Sequence, residues 1–451
     1  MTESKVNVFL MTLLVFLDME PFFVWSTVSP FGYRFYTGVI LIATLFMVYR
    51  VLIKKRIVAG KVPEIADCRQ VNLSLLLASS LVVILLFYEM FFSGVVTETQ
   101  QPFNMAMLCI HLGLMFFSLQ DNITLRRVFI LSKRLFAISL IPAILVFFLM
   151  QIGVALPFVK LAADAGKDMT GQSYELYMGF ATMLRNQGGL LNRLCGMYRE
   201  PGFVGTIGVL FLFGDKLTFR KWENVIILIA GACTFSLAFV LLFVLGIMLH
   251  LVGKLKTRGG FVTGVSLILA IVIGYFSFMS LPLNENSMLG ELQGRMEITD
   301  EGLAGDNRFG SSEWAVDAYD QFLKSDLKTR LFGYGRDPRV IPGTEISIWQ
   351  TVHSYKEFVF GFGFLGLILM IASIVFAYWA KFCKVPKASR WQIFVLVLIF
   401  MISIYQRYMI INFHYYCVLF GGAANLALME YEKQEARMLD QGTHRRVVVR
   451  W

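Results

Sequence analysis

Two arginines and a glutamate stand directly before an apolar segment in the stretch RLCGMYREPGFVG, residues 193–205. Pro201 suits the first turn of a helix, which places Glu200 near the N-cap and leaves the next backbone N–H groups without helical partners. A helix N-terminus flanked by Arg193 and Arg199 is an anion site, because the helix dipole and both guanidinium groups attract negative charge. The alternative is structural, with an arginine that snorkels and a glutamate that only caps.

Further candidate residues lie later in the chain, mostly in one hydrophilic segment. Arg295 and Arg308 occur in GRMEITD and GDNRFGSSEW, and Arg336 and Arg339 occur in the glycine-rich turn LFGYGRDPRV. His353 comes directly before another apolar segment. A general base is the functional interpretation of this histidine, and a structural hydrogen bond is the alternative.

Composition places these residues in a membrane protein. The 451-residue chain is 57% hydrophobic and 16% charged, and long apolar runs recur from end to end. The first run, 6–28, is too long for a signal-peptide core and is predicted to be an uncleaved span. The six cysteines are scattered and form no CxxC pair, which predicts neither a zinc site nor a disulfide framework.

About twelve spans are predicted, which makes the chain an all-α polytopic membrane protein. They are 6–28, 31–53, 71–93, 103–119, 135–155, 201–214, 223–235, 237–253, 261–281, 355–380, 391–409 and 411–429. The net charge of +10 collects at the ends of these segments, which indicates orientation rather than nucleic-acid binding. Connections after even-numbered spans are basic, so the positive-inside rule predicts that they and both termini are cytoplasmic.

This layout divides the chain into six parts. The helical parts are 1–156, 201–281 and 355–429, the outer loops are 157–200 and 282–354, and 430–451 is a cytoplasmic tail. The loop 282–354, between spans nine and ten, holds twelve acidic and seven basic residues. Within it, SSEWAVDAYDQFLKSD predicts an amphipathic helix with Trp314, Ala318 and Phe322 on one face.

The order of the motifs resembles the Wzy-type polymerases of bacterial O-antigen and capsule polysaccharides. RLCGMYREPGFVG is similar to an R-x-x-G-x-x-x-[D/E]-P pattern at a span entrance, and TFSLAFVLLF to a T-x-S segment. The later DNRFGSSEWAVDAYDQF resembles the family's loop arginine followed by tryptophan, and LFGYG precedes His353 and GFGFLG. The similarity covers roughly 193–366 and the predicted twelve-span layout.

The resemblance implies a GT-C-like fold and glycosyl transfer at the periplasmic face of the bacterial inner membrane. Donor and acceptor would be oligosaccharides on undecaprenyl pyrophosphate, with membrane lipids around the protein and no nucleic acid involved. Arg193 and Arg308 are assigned to the diphosphate, and Glu200 and His353 are candidate bases. The remaining arginines (Arg199, Arg295, Arg336 and Arg339) are expected to bind substrate, no metal or cofactor is expected, and a chain-length regulator is a candidate partner.

Two other functions remain open. A ligase that moves the glycan to lipid A–core shares most of the motifs and the same donor. A transporter of lipid-linked sugars would distribute charge along a pore and show internal symmetry, which this sequence lacks.

Some polar residues of the spans have no assigned chemistry. Asp18 and Glu20, in DME of the first span, faintly resemble an acidic metal motif but are more typical of an internal polar contact. Arg407 and His414 are predicted near the outer surface, beside the same cavity.

Overall fold

A computed structural model describes residues 3–25, 32–51, 112–161, 172–186, 192–253, 258–283, 313–334, 355–382, 387–405 and 412–440. It also describes 110, 290, 293–294, 296–299, 302–303 and 385. The predicted span 71–93 and the residues after 440 lie outside these ranges.

Most of the described chain is helical. The helices are α1 (Glu3–Asp18), α2 (Phe22–Trp25), α3 (Gly32–Tyr49), α4 (Asn122–Gln151), α5 (Pro201–Gly214), α6 (Trp222–Cys233), α7 (Leu237–Val252), α8 (Arg258–Met279), α9 (Glu313–Lys324), α10 (Leu327–Phe332), α11 (Tyr355–Phe382), α12 (Lys387–Ser403), α13 (Phe413–Tyr416) and α14 (Gly422–Asp440). A π-helical turn, Cys417–Gly421, joins α13 to α14.

Two of the described helices are long and apolar enough to cross a membrane. They are Asn122–Gln151 and the part Phe358–Phe376 of α11. Shorter apolar helices of 10–17 residues are Arg34–Tyr49, Pro201–Gly214, Trp222–Cys233, Leu237–Val252 and Ser389–Ser403. The structure is therefore mostly helical with two helices of membrane-spanning length, and the count of twelve spans stays a prediction.

Helix α5 lies at the centre of the bundle. Its sequence PGFVGTIGVLFLFG is apolar on every face, which is typical of a helix surrounded by protein. It packs against α6, α7, α12 and α14, and Phe211 contacts the rings of Phe129 and Phe136 on α4. Every residue of α5 except Phe203 is buried.

Several predicted boundaries differ from the structure. The division of 223–253 into two helices is confirmed, with the break at Thr234–Ser236. Helix α4 begins at Asn122 and not at 135, because Asp121 caps it by accepting a hydrogen bond from the Thr124 N–H at 2.8 Å. The basic stretch 126–134 is thus helical rather than a loop, and α14 continues into the predicted tail as far as Asp440.

An antiparallel sheet corrects the all-α prediction for the segment 157–200. Its strands are β1 (Phe158–Leu161), β2 (Gln172–Tyr177), β3 (Ala181–Asn186) and β4 (Asn192–Gly196), in sequential order. One face buries a small apolar cluster that includes Tyr174 and Leu184. The other face joins the main core through Met183 and Leu194, which packs the sheet against α4. Strands this short between two apolar helices carry too little periodicity to stand out in the sequence.

Part of the segment 282–354 packs against α11. The predicted amphipathic helix is confirmed as α9, and its Phe322 is fully buried among aromatic residues that include Tyr334 and Phe360. Gly333 and Gly363 allow the chain segments that contain them to approach closely. A Cβ on Gly363 would lie 2.1 Å from the Leu331 carbonyl oxygen. The LFGYG and GFGFLG motifs therefore meet in space. The described part of the segment also contains a two-stranded ladder of β5 (Ile298–Thr299) and β6 (Gly302–Leu303).

Candidate functional site

The connection from β4 to α5 carries the stretch 193–205. Gly196 ends β4 with a φ of 70°, and a Cβ on it would lie 2.7 Å from Leu140 Cδ2 of α4. Pro201 is the first residue of α5 and Glu200 its N-cap, as predicted. The Glu200 side chain makes no capping hydrogen bond, so its carboxylate does not act as the cap.

Arg193 reaches the break between α6 and α7. Its Nε donates to the backbone carbonyl of Thr234 at 3.1 Å. Phe235 has a φ of 46°, a left-handed conformation that costs a non-glycine residue about 1–3 kcal/mol. Thr234 Oγ1 accepts a hydrogen bond from the Ser236 N–H at 3.2 Å, which holds the turn that Arg193 caps. The arginine motif and the T-x-S segment are therefore in direct contact.

A second contact joins the same two motifs. A Cβ on Gly205 would lie 2.8 Å from Phe239 Cβ and 3.2 Å from Ser236 Cβ. Only a glycine lets α5 and α7 approach so closely at this level. The glycine that ends the stretch 193–205 thus fixes the T-x-S segment beside the first turns of α5.

Arg199 faces the turn that follows α1. Its guanidinium lies 3.7 Å from the Glu20 carboxylate, and the two side chains are 39% and 52% exposed. The two segments are joined by backbone, since the Phe22 N–H donates to the Met197 carbonyl at 2.7 Å. Glu20 has a φ of 51°, so the pair sits on another strained residue.

Two further carboxyl groups, those of Asp18 and Glu200, lie close enough to Glu20 to interact with it electrostatically. Three carboxyl groups therefore gather near Arg199 at this end of α5.

Asp18, two residues before Glu20, binds a histidine from the C-terminal part of the chain. Its Oδ2 accepts hydrogen bonds from the His414 backbone N–H at 2.9 Å and from the ring Nδ1 at 2.6 Å. Its Oδ1 accepts from the Tyr36 hydroxyl at 2.5 Å. Asp18 is thus an internal polar contact, as the sequence indicated, and both its oxygens are used.

His414 adjoins the first turn of α5. Its ring meets that of Phe203 edge-on, with centroids 5.1 Å apart. The side chain is 3% exposed, and within the described part of the chain its Nε2 is buried without a hydrogen-bond partner.

Of the predicted site residues, the structure describes Arg193, Arg199 and Glu200. Arg193 lies in β4, and Arg199 and Glu200 lie in the connection from β4 to α5. The remaining predicted residues (Arg295, Arg308, Arg336, Arg339 and His353) lie outside the described residues.

Sequence reasoning gave no role to the Asp18–His414 pair, although both residues carried a signal. An ionisable side chain inside an apolar segment must find a partner. The two residues are 396 positions apart, so only the fold identifies them as each other's partners.

The opposite end of α5 holds a second charged cluster, around Asp215. The carboxylate is fully buried and accepts from Lys133 at 2.5 Å, Lys221 at 2.6 Å, Asn224 at 2.9 Å and Asn425 at 3.2 Å. Burial alone would raise the pKa of Asp215, but the two lysines hold it below its ordinary value. This cluster ties α4, α6 and α14 to the end of α5.

Comparison with known proteins adds no relative to this picture. No protein-family model, curated protein or solved structure matches this chain.

Proposed function

We propose that the chain is a polysaccharide polymerase of the bacterial inner membrane, acting at the periplasmic face. It transfers a growing glycan from one undecaprenyl-pyrophosphate carrier onto a repeat unit on another. The observation that carries the proposal is the contact between the two motifs that resemble Wzy-type polymerases, made by Arg193 and the Thr234 carbonyl. The apolar helices of membrane-spanning length support the membrane location.

The chemistry required of such an enzyme matches the residues at the start of α5. A sugar on pyrophosphate is already activated, so the protein has mainly to stabilise the charge that develops on the departing diphosphate. Arginine suits this task because its guanidinium is permanently charged and matches phosphate oxygens in a bidentate geometry. One such contact at about 4 Å contributes about 4 kcal/mol before desolvation, at an effective dielectric of about 20.

In this proposal Arg193 and Arg308 bind the diphosphate, with the first-turn N–H groups of α5 as additional donors. Arg199 and Arg295 stand beside them, and Arg336 and Arg339 bind substrate. Glu200 and His353 are the candidate bases for the acceptor hydroxyl. The partial exposure of Arg199 leaves it accessible to a lipid headgroup.

The test is a reconstitution with purified protein and lipid-linked repeat units isolated from cells that lack this protein. We expect ladders of increasing chain length, also in the presence of a chelator. The variant R193A should lower the turnover rate by about 10²–10³-fold, the effect of removing one preorganised donor to developing charge.

The matched control is R126A, because Arg126 pairs with Glu432 on the surface, away from this site. Removing such a surface pair changes stability by about 0–1 kcal/mol and should leave the ladders unchanged. Long chains made at the normal rate by R193A would contradict the assignment. Transfer of preformed chains to lipid A–core without ladder formation would instead identify a ligase.

A further inference from the structure

The Asp18–His414 pair is arranged as a carboxylate and an oriented imidazole. Asp18 Oδ2 accepts from the ring at 2.6 Å, while its other oxygen accepts from the Tyr36 hydroxyl at 2.5 Å. In the neutral ring, a carboxylate beside Nδ1 favours the tautomer with the proton on that nitrogen. In this tautomer Nε2 is the proton acceptor of the pair.

A purely structural clamp between α1 and α13 would require Nδ1 alone. Nε2 is nevertheless buried, without a hydrogen-bond partner among the described residues. Leaving a buried polar atom unpaired is costly, so this nitrogen indicates a partner other than the described residues.

The nitrogen lies close to the anion site. His414 contacts the ring of Phe203, the third residue of α5, so it adjoins the helix turn that begins after Glu200. Phe203 is also the one residue of α5 that is not buried. His414 therefore lies beside the one partly exposed residue of α5.

We propose that His414 is the base that accepts the proton of the attacking sugar hydroxyl, with Asp18 as its positioning residue. This inference rests on the proposed glycosyl transfer and gives the role of base to His414 in place of Glu200 and His353. The hydroxyl oxygen forms a bond to the anomeric carbon, and the bond from that carbon to the diphosphate oxygen breaks. The leaving diphosphate takes the electron pair, and the hydroxyl proton moves to Nε2.

Asp18 then stabilises the imidazolium ion through the Nδ1 hydrogen bond. The proton subsequently leaves to the departing diphosphate or to water, which restores the neutral ring. Tyr36 holds the second carboxylate oxygen, so Asp18 cannot rotate away from the histidine.

The decisive variant is H414N, because an asparagine amide can still donate to Asp18 but offers no nitrogen at the place of Nε2. We expect kcat to fall about 10²–10⁴-fold, the usual contribution of a general base. Binding of undecaprenyl diphosphate, used as the probe, and the thermal unfolding midpoint should stay close to those of the unmodified protein. A structural clamp would give the reverse pattern, with a lower midpoint and a normal kcat per folded molecule.

D18N is the second variant, and it tests the role of His414 if H414N does not fold. An amide at this position favours the wrong ring tautomer, so kcat should fall while binding of undecaprenyl diphosphate is retained. R126A is the control, because Arg126 pairs with Glu432 and contacts neither Asp18 nor His414. Its kcat should stay within about 2-fold of that of the unmodified protein, since surface ion pairs contribute little.

Measurements on the unmodified protein distinguish a failure of this inference from a failure of the proposed function. If it builds ladders and H414N or D18N builds them at the same rate, His414 is not the base and the polymerase proposal stands. If the unmodified protein neither binds undecaprenyl diphosphate nor turns over the lipid-linked units, both proposals are wrong.

Discussion

The two ends of α5 carry charged clusters of opposite character. At the Gly214 end, the buried Asp215 receives four side-chain hydrogen bonds of 2.5–3.2 Å. At the Pro201 end, Arg199 and Glu20 lie 3.7 Å apart and both side chains are partly exposed. Nearby, His414 Nε2 is buried and unpaired within the described residues.

The cluster at the Gly214 end is structural, whereas the one at the Pro201 end is a candidate functional site. The four hydrogen bonds to Asp215 come from α4, α6 with its N-cap, and α14, so the cluster holds these helices together and leaves the carboxylate no capacity for a ligand. The Pro201 end combines partly exposed charges with left-handed backbone at Glu20 and Phe235. Strained backbone gathered at one place is typical of sites that bind a ligand.

The largest effect is expected from breaking the cluster at the Gly214 end. K133M leaves Asp215 buried with one cation fewer, which should destabilise the protein by about 3–5 kcal/mol, as removal of one partner of a buried ion pair does. Unfolding in mixed detergent micelles measures this loss.

K221A is the control for that prediction. The Lys221 side chain is 38% exposed, so water replaces it on Asp215 and the loss should be about 1 kcal/mol or less. The contrast between the two ends of α5 would not hold if K133M kept its stability and lost binding of undecaprenyl diphosphate instead.

A smaller effect is expected at the connection that holds the Pro201 end. G196A forces a Cβ onto a residue with a φ of 70° and against Leu140, which should lower stability by about 1–3 kcal/mol. G38A is the matched control, because Gly38 is an exposed residue of α3 with no atom within 4 Å of an added Cβ. There alanine should stabilise the helix by about 0.5–1 kcal/mol. Equal unfolding midpoints for the two variants would mean that Gly196 does not constrain the site.

Local patterns were sufficient to predict several elements. Pro201 at the start of α5, the break at Thr234–Ser236 and the amphipathic helix α9 are all confirmed, because caps, helix breakers and amphipathic spacing act over a few residues. The start of α4 was placed wrongly, since a run of basic residues was interpreted as a loop. In the fold, Lys133 and Arg134 of that run pair with Asp215 and Glu223. A buried partner far along the chain overrides the local preference of a lysine for water.

The sequence by itself determined the predominance of apolar helices and the cluster of Arg193, Arg199 and Glu200 before α5. These features depend on neighbouring residues and on the hydrophobicity of each segment. Only the tertiary structure decided that Arg193 caps the turn after α6, that Glu20 faces Arg199, and that Asp18 orients His414. Such contacts join residues up to 396 positions apart, and the packing of helices around α5 determines which distant side chains meet.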